Sequence, residues 1–447
     1  MAFIPYYILI LAVTIIVDYI AGIYIEKSEG KKRKLFLTVS ICVNVGFLGF
    51  FKYFNFFNSN LASLAQLIHW NYPIENLSII LPIGLSFHTF QAMSYTIEVF
   101  RGNQKAEKKF GIFALYVMFY PQLVAGPIER PQNLLHQFYE KHELDYIRIT
   151  NGLKLMLWGL FKKVVIADRL AVIVSKVYDS PTEFTGVSLI VATLAFAFQI
   201  YCDFSGYSDI AIGAAQVMGF KLMDNFNRPY FAKSISEFWK RWHISLSTWF
   251  RDYLYIPLGG NKLGKWRWQF NLFITFLVSG LWHGANWNFV IWGALNGFYL
   301  IFAIWTYDVR KRLADISGLS SFPVFHKYLQ VAVTFSLTCF AWVFFRARNA
   351  TDAFYIIRHM FSGIRNQGLS KLYNSIMGLG LEKTEIAIAI LAILFMEIIH
   401  LIQRHGSIRA MLENRPLWVR WTLYYAMIYS LILFGYYNSN AFIYFQF

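Results

Sequence analysis

Apolar runs of about 20 residues, the length that crosses a bilayer as a helix, recur near 3–24, 36–57, 77–100, 186–205, 268–285, 287–306, 327–345, 384–403 and 417–437. Each predicts a membrane-spanning helix. A shorter run, 111–127, contains Pro121 and Pro127. Proline breaks a straight helix, so this run predicts a distorted crossing or a re-entrant segment. Two other stretches mix charge with apolar residues at helical spacing. The stretch 150–178 carries Lys154, Lys162, Lys163, Asp168 and Arg169, and the stretch 235–256 is basic and aromatic. Both predict amphipathic helices lying in the membrane interface. Asp18 and Glu98 fall near the cytoplasmic ends of their runs, where an acidic side chain can snorkel to water.

The polar segments between runs give a sidedness. The loop 26–34 (EKSEGKKRK) is strongly basic, 58–76 has no Lys or Arg, and 101–109 is basic again. The stretch 233–267 carries Lys240, Arg241, Arg251, Lys262 and Lys265, and 307–315 carries Arg310, Lys311 and Arg312. Basic loops stay in the cytoplasm, so these segments are expected inside and 58–76 outside. No internal repeat or low-complexity linker interrupts the pattern. The expectation is one domain, 1–447, that is all-α, polytopic and integral to the membrane.

Composition agrees. The chain is 57% hydrophobic and only 15% charged, with aromatics at 19%, whereas a soluble domain is about 25% charged. A net charge of +16 raises nucleic acid as a partner. The basic residues cluster in short loops between apolar runs, which argues for the membrane surface instead. Cys42, Cys202 and Cys339 lie far apart in apolar sequence and make neither a metal-ligand spacing nor a disulfide framework. The opening has no basic n-region or small-residue cleavage site of a signal peptide.

Two histidines stand out. His283, in Ser279-Gly-Leu-Trp-His-Gly-Ala-Asn-Trp287, lies inside an apolar run, where an ionisable group is costly and points to function. If the helix starts near Trp268 at the cytoplasmic face, its rise places His283 roughly 22 Å into a core of about 30 Å. A neutral imidazole there can take a proton from a hydroxyl and return it. The plain alternative is a packing histidine bonded to a backbone carbonyl. His243, in Phe238-Trp-Lys-Arg-Trp-His-Ile-Ser-Leu-Ser247, shares a helical face with Trp239 and Ser247 on spacing alone. It is expected at the cytoplasmic face, some two-thirds of a bilayer from His283. Its plain alternative is an interfacial anchor. His88 is a third intramembrane candidate, and Asp203 and Asp209 close the run 186–205. The chain contains no His-Glu-x-x-His pattern, phosphate-cradling glycine loop or Gly-x-Ser-x-Gly elbow.

Several motifs together resemble the membrane-bound O-acyltransferase (MBOAT) family, and its bacterial alginate O-acetylase-like branch most closely. They are Gly126-Pro127, Asp203-Phe-Ser-Gly-Tyr-Ser-Asp209, Asn225-Phe-Asn-Arg-Pro-Tyr230, Phe238 to Ser247, Phe250-Arg-Asp-Tyr-Leu-Tyr-Ile-Pro-Leu-Gly-Gly260 and Leu281-Trp-His-Gly284. The teichoic-acid D-alanylation membrane protein is a more distant relative. The resemblance implies a helical ring around a central tunnel, with interfacial and re-entrant helices. His283 matches the family's catalytic histidine and His243 its second motif histidine. The family often has an aromatic residue where His88 stands, so no catalytic role is assigned to His88. Relatives begin with a further apolar segment ahead of Ile4-Pro5, so the sequence is expected to start inside the family's pattern.

The resulting expectation is an acyltransferase of a bacterial inner membrane. It would carry acetyl from cytoplasmic acetyl-CoA, with no bound cofactor or metal, to hydroxyls of an exported polysaccharide. An extracytoplasmic accessory acetyltransferase and the lipid bilayer are the expected partners. His283 would deprotonate the attacking hydroxyl, or that of an intermediate carrier. His243, with Arg241 and Arg251, would position the thioester or complete the tunnel. Trp282, Asn286 and Asp203 are further donor-binding or tunnel candidates. The alternatives are transfer of D-alanyl or another acyl group from a carrier protein, and, outside enzymes, a polysaccharide-export transporter or scaffold.

Overall fold

A computed structural model describes residues 7–78, 82, 84–364, 368–437, 442 and 443, and every regular element among them is helical. The chain divides into two compact units. One comprises Met1–Ile149 with Ala214–Met223 and Gly284–Asn286, and the other Thr150–Gly213, Asp224–His283 and Trp287–Phe447.

The first unit is built on α1 (Tyr7–Lys27), α2 (Gly30–Leu67, with a π turn at Gly49–Tyr53), α3 (Leu85–Arg101) and α4 (Phe110–Val117). The carboxylate of Asp18 does not snorkel. It is fully buried in α1 and accepts hydrogen bonds from Ser40 Oγ at 2.6 Å and Asn44 Nδ2 at 2.8 Å on α2. Ser40 also meets Thr96 of α3 at 2.9 Å. One buried polar knot therefore ties three helices, because a buried carboxylate must be hydrogen-bonded. Glu98 is likewise buried and accepts from Arg101, Asn103 and Gln132. The apolar run 111–127 breaks, as its prolines predict: α4 ends at Val117 and turns follow it.

The second unit contains most of α5 (Tyr146–Leu160), a π-helical segment (Phe161–Ala167), α6 (Asp168–Tyr178), α7 (Val187–Met218) up to Gly213, α8 (Ile235–Trp239), α9 (Ile244–Phe250), α10 (Lys265–His283), α11 (Trp287–Trp305), α12 (Pro323–Arg346), α13 (Lys383–Ile402) and α14 (Leu417–Phe434). Among the described residues, seven helices are long and apolar enough to cross a membrane: α1, α2, α7, α11, α12, α13 and α14. The runs 77–100 and 268–285 form α3, which is 17 residues long, and α10, which opens on Lys265 and Arg267.

Two readings of this unit change. The stretch 150–178 is not an interfacial amphipath. Val165, Ile166, Ala167 and Val174 are buried in the core, and Lys162 is 3% exposed. Its ammonium bonds Ser205 Oγ and Asp209, each at 2.8 Å, while Lys163 bridges Asp168 and Asp203, each at 2.8 Å. The charges that suggested a wet face instead face carboxylates on α7 and the start of α6. These pairs also let α7 run on past Asp203 to 32 residues. Backbone contact makes the pairing possible: a Cβ on Gly159 would sit 2.6 Å from the Gly206 carbonyl oxygen, so only glycine permits this approach of α5 to α7. The stretch 235–256 is not an interfacial anchor either. Phe238, Trp242, His243, Leu246, Trp249 and Phe250 are all buried.

Candidate functional site

His283 ends α10, which packs along α11 through two glycines. A Cβ on Gly280 would collide with the carbonyl oxygen of Phe289, and one on Gly293 would lie 2.5 Å from that of Phe276. The glycine beside His283 thus serves helix contact. Asn288 Nδ2 donates to Ala347 O at 2.7 Å and pins the start of α11 to the end of α12. The imidazole, 5% exposed, sits edge-on among Trp282 and Trp292, both with ring centroids at 4.9 Å, and Phe345 at 5.4 Å. Its Nδ1 lies 2.7 Å from the Ser279 carbonyl oxygen. A carbonyl only accepts, so the proton must be on Nδ1 and the basic lone pair on Nε2.

His243 occupies a break in the helix, not its middle. Its backbone is left-handed, φ 43° and ψ 57°, and it is the residue before α9. Trp239, His243 and Ser247 therefore do not share one helical face. A left-handed non-glycine residue is strained and persists only where its surroundings impose it. Here Asn225 supplies the constraint. Its carbonyl accepts from Ile244 N at 3.0 Å, and its Oδ1 accepts from Ser245 Oγ at 2.7 Å and Ser245 N at 3.3 Å. Asn225 Nδ2 in turn donates to Ser208 Oγ of α7 at 3.2 Å. Phe204 of α7 meets the His243 ring edge-to-face at 4.6 Å.

The two histidines meet across one side chain. Trp282 lies 6.3 Å from the ring of His243 and 4.9 Å from that of His283. The expected separation of two-thirds of a bilayer is wrong. Helix rise measures depth only along α10, and the buried turn at His243 brings the second motif to the same place. Burial first, and then the nearby His283, hold the His243 imidazole well below its usual pKa. Charging both rings together is disfavoured.

Of the remaining candidates, Trp282 joins the histidines directly. Arg241 pairs with Glu237 and donates to the Arg228 carbonyl, and Arg251, whose side chain is 58% exposed, pairs with Asp252 at 2.7 Å. Asp203 bonds Lys163 and accepts from Ile443 N at 2.8 Å, which makes it a brace between α7 and the C-terminal segment. Asn286 lies half-buried in the turn 284–286, within the first unit, and His88 lies in that unit on α3. Asn225, Ser279 and Phe204 were not assigned roles from sequence. The motif Asn225 to Tyr230 was the available signal.

A family model described as the membrane-bound O-acyltransferase family matches residues 31–346. The chain is 43% identical over 318 residues to the "probable alginate O-acetylase" of Pseudomonas putida, covering 71% of this chain and 62% of that protein. It is 34% identical over 381 residues to a peptidoglycan O-acetyltransferase of Helicobacter pylori, covering 79% and 70%. It is 30% identical over 232 residues to a teichoic acid D-alanyltransferase of Streptococcus thermophilus, covering 49% and 56%. The chain spans between 52% and 62% of the length of the first three alginate O-acetylases it matches.

Proposed function

The chain belongs to the membrane-bound O-acyltransferase family, and on that premise we propose that it transfers an acetyl group from cytoplasmic acetyl-CoA to hydroxyls of an exported polysaccharide. The observation that carries this reading is the 2.7 Å contact of His283 Nδ1 with Ser279 O. It fixes the tautomer that a general base needs.

Nε2 of His283 takes the proton of the acceptor hydroxyl as the oxygen attacks the thioester carbonyl. The C–S bond then breaks, and the departing thiolate takes the proton back from the imidazolium. The products are an acetyl ester and a free thiol, and His283 is neutral again. The aromatic walls keep water from competing and strengthen the electrostatics of the step. A positioned histidine base contributes roughly 10²–10⁴-fold. His243 acts in the same centre, at the thioester end. The acceptor is the polysaccharide itself or a carrier hydroxyl that an extracytoplasmic acetyltransferase then uses. The bacterial origin of the relatives favours the inner membrane as the site of action.

The names of the relatives, two O-acetyltransferases and a D-alanyltransferase, define the test. Purified chain is given radiolabelled acetyl-CoA, or a D-alanyl carrier protein, with a polysaccharide acceptor. Label passing from acetyl-CoA to the glycan supports the proposal. Label passing only from the carrier selects the aminoacyl alternative. Label from neither, with transport of polymer by the same protein in vesicles, selects an export role.

A further inference from the structure

The second unit holds a cleft that the acyl-transfer site does not use. It has a volume of about 1100 Å³, lies among α5, α13, α14 and the segment 403–412, and is floored by Leu391, Phe395 and Phe434. Its rim is cationic. Lys154, Arg228 and Arg415 line it, and no carboxylate does among the described residues. Glu413, close by in sequence, accepts from Asn151 at 3.5 Å.

The positive charge gathers at the end formed by the loop between α13 and α14. Lys154 stands over the Tyr424 ring at 5.2 Å, and both Lys154 and Arg420 reach the Tyr424 hydroxyl. Arg228 is held in a left-handed backbone, φ 46°. Its Nε donates to Asn227 Oδ1 at 3.2 Å, but its Nη1 is buried and has no hydrogen-bond partner among the described residues. Burial, then repulsion from Arg241 and Arg404, lower its pKa. A buried guanidinium nitrogen left without an acceptor is costly and marks a place for an anion. Trp418 and Trp421 project outward from the first turns of α14, 72% and 51% exposed, in the manner of tryptophans at the headgroup level of a bilayer.

We propose that this cleft binds an anionic glycerophospholipid of the cytoplasmic leaflet, with its phosphate among Lys154, Arg228 and Arg415 and an acyl chain against Leu391, Phe395 and Phe434. Charge complementarity selects the headgroup, and the apolar floor selects the chain. An acetyl thioester does not match this cleft: two carbons cannot fill the floor, and the rest of the donor is polar. The proposal is independent of the reaction assigned to the histidines.

The test uses the full chain in nanodiscs of equal parts dioleoyl phosphatidylglycerol and dioleoyl phosphatidylcholine, with retained lipid counted by native mass spectrometry. The wild-type chain retains phosphatidylglycerol over phosphatidylcholine by a factor on the order of ten. The triple variant Lys154→Gln/Arg228→Gln/Arg415→Gln loses that preference. Leu391→Trp, which fills the floor, releases both lipids, so the proposal stays testable if the triple variant does not fold. Equal retention of the two lipids by the wild-type chain would overturn it. So would an unchanged preference in a folded triple variant, or full displacement of the lipid by acetyl-CoA.

Discussion

His283 donates from Nδ1 to the carbonyl oxygen of Ser279, one helical turn earlier, at 2.7 Å. The bond uses the helix's own backbone to choose the tautomer, because a carbonyl oxygen in the helix ladder keeps a second lone pair that a side chain four residues on can reach. The contact that suits a packing histidine is therefore also the one that would orient Nε2 in the proposed reaction. His243 reaches the other side of Trp282 through the turn that Asn225 holds.

Asn225 is expected to act through His243. Asn225→Ala removes the acceptor for Ser245 and the strut to Ser208, and leaves polar groups unpaired in a buried site. The expected result is a fall in kcat of roughly tenfold or more with little change in KM for acetyl-CoA. Asn225→Asp, which keeps the acceptor, recovers part of the rate. Steady-state kinetics on purified protein checks this. A rise in KM alone would place His243 in donor binding instead.

The ion pairs between the π-helical segment and α7 are expected to be structural. Lys163→Met strands the buried carboxylates of Asp203 and Asp168, each of which lies 2.8 Å from the lysine. Breaking one half of a buried pair costs about 3–5 kcal/mol. Lys163→Met/Asp168→Asn/Asp203→Asn removes both stranded charges and recovers at least half of that loss. Thermal unfolding in detergent measures both variants.

Glu129 gives a pH signature. Burial raises its pKa from 4.5 to about 7, against the opposing hydrogen bonds from Met223 N and Asn133. The folded state therefore prefers the protonated form. Its contribution to stability is present below about pH 4.5 and is lost as pH rises through 7. Glu129→Gln keeps the neutral form at every pH. At pH 8 it is expected to be more stable than the wild-type chain by up to roughly 3 kcal/mol, and at pH 4.5 about equal to it. Unfolding midpoints at the two pH values decide this, and a variant less stable at pH 8 would contradict it.

Seven of the nine expected spans and the burial of His283 were readable from sequence, because apolar length and an ionisable group inside an apolar run are local properties. The position of His243 was not. Trp239, His243 and Ser247 have helical spacing, and the constraint that breaks the helix comes from Asn225, 18 residues earlier in the chain. Lys162 and Lys163 misled for the same reason. Two lysines on a half-apolar helix suggest a wet face until their partners on α7, some 40 residues on, are brought alongside. Asp18 looked like a snorkelling residue because Ser40 and Asn44, which hydrogen-bond it, lie on another helix.

The basic loops are expected to face the cytoplasm. Single cysteines placed in 25–35, 101–110 and 307–315, in a chain whose exposed Cys42 is replaced, should resist an impermeant maleimide in intact cells and label after permeabilisation. Ready labelling of all three from outside would reverse the orientation and move the proposed donor side with it.

The most direct test of the central claim is turnover of acetyl-CoA by purified His283→Ala and His283→Gln, matched for folding and abundance. Both are expected to lose roughly 10²–10⁴-fold in kcat, with KM for acetyl-CoA within about threefold of the wild-type value. Near-normal turnover in either variant would show that Nε2 of His283 is not the base, and the reading of this site as an acyl-transfer centre would be contradicted.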